Sequence, residues 1–99
     1  FELIKNFKCL NFLNLSENML ERVNNDFFND LNYNNLEKLN LSSNRIKLIE
    51  PGSFDGLQSL IELNLSQNHL IKISSNLFCS LKKLKILDLN DIGIKSIQK

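Results

Sequence analysis

The chain has 99 residues, 42% of them hydrophobic, with twelve basic against eleven acidic side chains and a formal net charge of +1. That length fits one domain, and so even a charge balance gives no general argument for nucleic acid or an anionic membrane as partner. No apolar run is long enough to span a bilayer or to read as a secretion signal, and two cysteines make no disulfide framework.

The charge is unevenly placed. Residues 1–68 carry six basic and nine acidic side chains, whereas residues 69–99 carry six and two. Ordinary solvated faces account for this asymmetry. Cys9 and Cys79 occupy different positions in different repeats, more than two periods apart. They are expected to be too distant to bridge, and to serve as small apolar fillers or free thiols.

In chain order, Ile4-x-x-Phe7-x-x-Leu10 reads as the tail of a preceding repeat over residues 1–9. Leu10-x-x-Leu13-x-Leu15-x-x-Asn18-x-Leu20 then opens a pattern that returns from Leu36 and from Leu60, and in altered form from Leu84. The starts are 26, 24 and 24 residues apart. A fixed period of this length predicts a solenoid, with repeats at 10–35, 36–59 and 60–83 and a partial repeat at 84–99.

Within each repeat the Leu-x-Leu alternation (Leu13-Asn14-Leu15, Leu39-Asn40-Leu41, Leu63-Asn64-Leu65, Leu87-Asp88-Leu89) has period two. It predicts short strands with leucines inward and polar residues outward. Equivalent strands joined by one full repeat must run parallel and stack about 4.8 Å apart. Asn18, Asn44 and Asn68 sit where the chain leaves the strand, where buried amides can stitch successive turns together.

The second half of each repeat carries further apolar columns. They are Val23, Ile49, Ile73 and Ile97; then Phe28, Phe54 and Phe78; then Leu31, Leu57 and Leu81. One phenylalanine per repeat predicts an aromatic spine behind the sheet. The surrounding Asn24-Asn25-Asp26, Pro51-Gly52-Ser53 and Ser74-Ser75-Asn76 favour turns and a brief helical turn instead of a second sheet. No single repeat buries enough surface to stand alone, so stacking must supply the stability.

Over nearly the whole chain this pattern resembles the leucine-rich repeat family. Leu36 to Leu57 is similar to its typical 24-residue class, Leu-x-x-Leu-x-Leu-x-x-Asn-x-Leu-x-x-Leu-x-x-x-x-Phe-x-x-Leu, with Ile46 and Ile49 replacing leucines. Toll-like receptor ectodomains and other extracellular adhesion or matrix proteins carry this class. The resemblance implies an α/β solenoid: an arc with a concave parallel sheet and a convex side of turns and short helical segments. It also implies a non-enzymatic recognition module, extracellular or at the cell surface, for a protein or other large ligand. A receptor dimer stays open, as do a cytoplasmic location and the role of a matrix or adhesion spacer. Family members usually carry cysteine-rich caps, which the sequence lacks, so residues 1–99 read as an internal piece of a longer ectodomain.

Two departures stand out. Ile92 replaces the ladder asparagine, so the stitching should stop or be rerouted there. Two extra residues fall within Asn32-Tyr33-Asn34-Asn35 and predict a bulged loop, either neutral or a contact site with Tyr33 at its tip.

Catalytic chemistry has little support. The lone histidine, His69, lies at a variable turn position with no convergent partners, and no cysteine–histidine metal pattern or phosphate-cradling glycine loop occurs. Glu62, Asp88 and Asp91 could neighbour one another, but a shallow sheet provides no enclosed site for acid–base work. No cofactor or metal is expected. Ligand contacts are expected where outward positions differ between repeats: the column Phe12, Lys38, Glu62 and Ile86, a second with Glu17, Ser43, Gln67 and Asp91, and Asp88. Asn14-Leu15-Ser16, Asn40-Leu41-Ser42 and Asn64-Leu65-Ser66 match the N-glycosylation sequon, though Leu-Asn-Leu-Ser is also a common filling of this repeat.

Overall fold

The structure is a computed structural model that describes residues 10–29, 33–93 and 97–98. Its principal sheet has four parallel strands in the order β1 (Phe12–Asn14), β3 (Lys38–Asn40), β5 (Glu62–Asn64) and β7 (Ile86–Asp88). The register is one repeat per strand: Leu13 faces Leu39, Leu39 faces Leu63 and Leu63 faces Leu87. The predicted solenoid is present, with each strand contributed by one leucine alternation.

The strands stop after three residues for a local reason. The side-chain oxygens of Asn14, Asn40, Asn64 and Asp88 each accept a hydrogen bond from the backbone N–H two residues on, at 2.9–3.0 Å. These Asx turns offer the backbone an alternative to continuing the strand. The next residue but two (Glu17, Ser43, Gln67 and Asp91) then adopts a left-handed conformation with φ between 54° and 57°. In all four repeats that step turns the chain out of the sheet.

Behind the strands the core is continuous. Leu36, Leu39, Leu41, Leu57, Leu60, Leu63 and Leu65 are all buried. The aromatic spine also forms. The Phe28 and Phe54 rings lie 6.2 Å apart, and those of Phe54 and Phe78 are stacked at 6.3 Å with an 11° interplanar angle. Leu31, Ile4 and the preceding-repeat tail lie outside the described residues.

The asparagine ladder binds each repeat to the one before. Asn68 Nδ2 donates to the Leu41 and Leu65 carbonyls while its Oδ1 accepts from Ile46 N–H. Asn44 repeats the arrangement with the Leu15 and Leu41 carbonyls and Leu20 N–H. Asn18 instead is exposed, and its bonds go to the Leu15 and Ser16 carbonyls of its own turn. At Ile92 the stitch is rerouted: the Ile92 carbonyl accepts from Leu70 N–H at 2.8 Å, the donor that an asparagine oxygen would have taken.

Three details differ from the sequence expectation. The convex segments 51–56 and 75–80 are runs of turns closed by three-residue hydrogen bonds, such as Ser53 N–H to Glu50 and Leu57 N–H to Phe54. Among the described residues helical structure is confined to a 3₁₀ conformation at Tyr33. Such short segments cannot repay helix nucleation. Secondly, short parallel pairs do form in the second half of the repeats: β2 (Arg22–Val23) with β4 (Leu48–Ile49), and β6 (Ile73–Ser74) with β8 (Ile97–Gln98). Thirdly, Tyr33 is not the tip of a loop. It is 1% exposed, and its ring meets Phe28 edge-on at 5.8 Å. The insertion delivers an extra aromatic ring to the core, because burying that large ring against the spine outweighs the cost of the longer connection.

Candidate recognition surface

The outward face of the principal sheet gathers the varied residues into one row. Phe12, Lys38, Glu62 and Ile86 are mutual strand partners across β1, β3, β5 and β7. A side chain thus advances about 4.8 Å per repeat, and the row spans roughly 14 Å. Phe12 and Ile86 are 56% and 53% exposed, so the row ends in two solvent-facing apolar groups with a cation and an anion between them.

The second row is Asn14, Asn40, Asn64 and Asp88, in the same register. Each asparagine's side-chain oxygen is held by its Asx turn. Together with Phe12, Glu37, Lys38 and Glu62, Asn40 and Asn64 line a shallow depression of about 310 Å³. Such a surface can present donors, acceptors and apolar contacts to a large partner; it does not enclose a substrate.

Glu17, Gln67 and Asp91 belong to a different part of the molecule. They lie three residues past the strands at the left-handed turn, exposed, and Gln67 Oε1 accepts from Ser43 Oγ at 2.8 Å. The structure therefore brings together Phe12, Lys38, Glu62, Ile86 and Asp88 on the strands, and sets the other three along the edge where the chain departs. His69 is exposed, and so is Cys79, a free thiol; Cys9 lies outside the described residues. Among the described residues no three His, Cys, Asp or Glu side chains form a metal-binding group, and no helix is long and apolar enough to cross a membrane.

The sequon asparagines have a structural role that sequence inspection missed. The signal was available, since Asn-x-Ser favours an Asx turn as readily as it marks a glycan acceptor. Asn14 is exposed, whereas Asn40 and Asn64 are half-buried between neighbouring strands. A glycan on Nδ2 leaves Oδ1 in place, so the turn and the modification are compatible at Asn14.

The family model described as "Leucine rich repeat" matches residues 34–91. The chain is 38% identical to Leucine-rich repeats and immunoglobulin-like domains protein 1 of Homo sapiens over 96 residues, 96% of the chain and 8% of that protein. It is 36% identical to Toll-like receptor 3 of Bos taurus over 77 residues, 78% of the chain and 8% of the receptor. Over 54 residues it is 46% identical to Tsukushi-A of Xenopus laevis, 52% of the chain and 15% of that protein. The chain thus spans less than a tenth of the length of the first two relatives.

Proposed function

The chain belongs to the leucine-rich repeat family, and from that premise we propose that it is a non-enzymatic module of an extracellular or cell-surface receptor that binds a protein through its concave sheet. The observation that carries this reading is the in-register row Phe12–Lys38–Glu62–Ile86, which differs in every repeat while the flanking leucines stay constant. Constant positions build the scaffold; a varied, exposed row on a rigid sheet is where a scaffold can encode a partner. An exposed aromatic residue is also the side-chain type that most often anchors an interface.

Two relatives with "receptor" or "immunoglobulin-like domains" in their names support the receptor and extracellular parts of the reading. Glycans on the sequon asparagines would fit the same location.

The test is replacement of Phe12 and Lys38 by alanine in the full-length protein, with thermal unfolding as the control for folding. The expected result is a loss of partner binding of about tenfold or more for Phe12→Ala, the scale of an interface anchor. Undiminished binding by a folded double variant would rule out the concave site.

A further inference from the structure

A second surface lies on the flank where the chain leaves the sheet. Between the left-handed turn and the second half of each repeat, three segments stack with their backbones hydrogen-bonded. Arg45 N–H donates to Leu20 O at 2.9 Å and Lys47 N–H to Glu21 O at 2.8 Å; His69 N–H donates to Ile46 O at 3.0 Å and Ile71 N–H to Lys47 O at 3.2 Å. Along each segment burial alternates, with Leu20, Ile46 and Leu70 directed to the core side and their neighbours exposed. The flank therefore presents two rows, Met19–Arg45–His69 and Glu21–Lys47–Ile71, with Arg22 and Lys72 beside them and also exposed.

Four of the twelve basic residues gather here, with Glu21 among them and the acids Glu17 and Asp91 on the adjoining turn edge, so basic side chains outnumber acidic ones in a chain whose overall charge is only +1. Among the described residues no salt bridge engages Arg22, Arg45, Lys47 or Lys72. Two large apolar side chains share the patch: Met19 is 69% and Ile71 64% exposed, the two highest values among the exposed large hydrophobic residues.

We infer that this flank is a docking surface, distinct from the concave row, for an acidic protein segment carrying two apolar anchors. The charge calls for carboxylates, which arginine pairs with in bidentate fashion. The apolar residues select the class of partner. A uniform polyanion, such as a sulfated polysaccharide, gains nothing from Met19 and Ile71 and is repelled by Glu21. A mixed acidic and apolar peptide uses every group on the patch, and methionine adapts its shape to varied apolar contacts. Met19 and Ile71 are two repeats and two residues apart, about 12 Å from backbone spacings, a distance that an extended chain covers in three to four residues.

The probe is a synthetic peptide centred on Leu-Glu-Glu-Glu-Leu, compared with the same peptide in which each Glu is Gln, both titrated against the chain by calorimetry. The acidic peptide should bind and the amide version should bind at least about tenfold more weakly, with the difference shrinking as salt rises and screens the patch. Arg45→Glu with Lys47→Glu should abolish that preference, Arg45→Gln with Lys47→Gln should reduce it, and Met19→Asn with Ile71→Asn should weaken the acidic peptide several-fold. Thermal melts of each variant establish that it is folded. Phe12→Ala with Lys38→Ala should leave peptide binding intact, which separates this surface from the concave site. Equal binding of the two peptides overturns the proposal. So does a sulfated polysaccharide that binds in an Arg45- and Lys47-dependent way, indifferent to Met19 and Ile71, while the acidic peptide does not bind.

Discussion

The second and third repeats differ from the fourth in how fully the same pattern is satisfied. In β3 and β5 the inward leucines Leu39 and Leu63 are essentially inaccessible, and Asn44 and Asn68 tie each turn to the previous one. In β7 the equivalent Leu87 is 37% exposed, Leu89 is half-buried, and Ile92 stands in the ladder position. Ile73, Phe78, Leu87, Leu89 and Ile92 line an apolar surface on the side where a further repeat would stack. The same sequence motif therefore yields different stabilisation according to its neighbours. In a solenoid a residue's contribution is set by the interfaces on both sides of its repeat, not by the repeat alone.

The sharpest way to break this comparison is through the spine. Phe54 is fully buried and has a ring on each side, Phe28 tilted against it and Phe78 stacked, so Phe54→Ala should cost about 3–5 kcal/mol in urea unfolding. Phe78 has a described ring partner on one side only and is half-buried. Phe78→Ala should cost measurably less, and equal losses would mean that neighbour count does not govern stability here.

The ladder gives the next largest contrast. Removing the Asn68 amide leaves the buried Ile46 N–H without its acceptor, and Asn68→Ala should destabilise by about 1–3 kcal/mol. The exposed Asn18, bonded within its own turn, should change stability by no more than about 0.5 kcal/mol when replaced. A comparable effect lies on the convex side. A methyl added at Gly56 would come within 2.8 Å of Asn29 Cα, and Gly56 N–H is held by Asn29 Oδ1. Gly56→Ala should therefore lower stability by roughly 1–3 kcal/mol.

Smaller effects are expected where the repeats are alike. Asp91 adopts the left-handed conformation at φ 56°, which glycine tolerates without steric cost. Asp91→Gly should raise the thermal midpoint slightly, by about 0.5 kcal/mol in stability terms once glycine's greater freedom in the unfolded chain is offset. Ser43→Gly should gain less, since it forfeits the bond to Gln67. Glycan attachment should leave stability nearly unchanged and distinguish the sequons by site. In secreted material, glycopeptide mass analysis should find Asn14 occupied ahead of Asn40 and Asn64, and an unmodified intact mass would end the glycosylation reading.

Much of the fold was legible because its determinants are local and recur. Leucines at period two specify strands and their inward face. A fixed repeat length then leaves parallel stacking as the one arrangement that buries every copy. The spine was legible for the same reason, with one phenylalanine per period. The candidate surface was legible only in part. Phe12, Lys38, Glu62 and Ile86 followed from strand alternation, but Glu17, Gln67 and Asp91 did not belong with them. The Asx turn at Asn14 and its equivalents ends the period before those positions are reached. The flank of Arg45, Lys47, Met19 and Ile71 was invisible in a charge tally, because its members come from three repeats with acids between them in the sequence.

The sequence by itself determined the repeat, the strand register and the inward columns, since each depends on spacing within one short period. Tertiary structure decided whether a given column position is actually satisfied. Tyr33 left its loop for the core because an aromatic surface was within reach. Ile92 surrendered the side-chain stitch and let its carbonyl take the Leu70 N–H instead. Both outcomes turn on burial and on finding a hydrogen-bond partner in the adjacent repeat, quantities that exist only once the repeats are stacked.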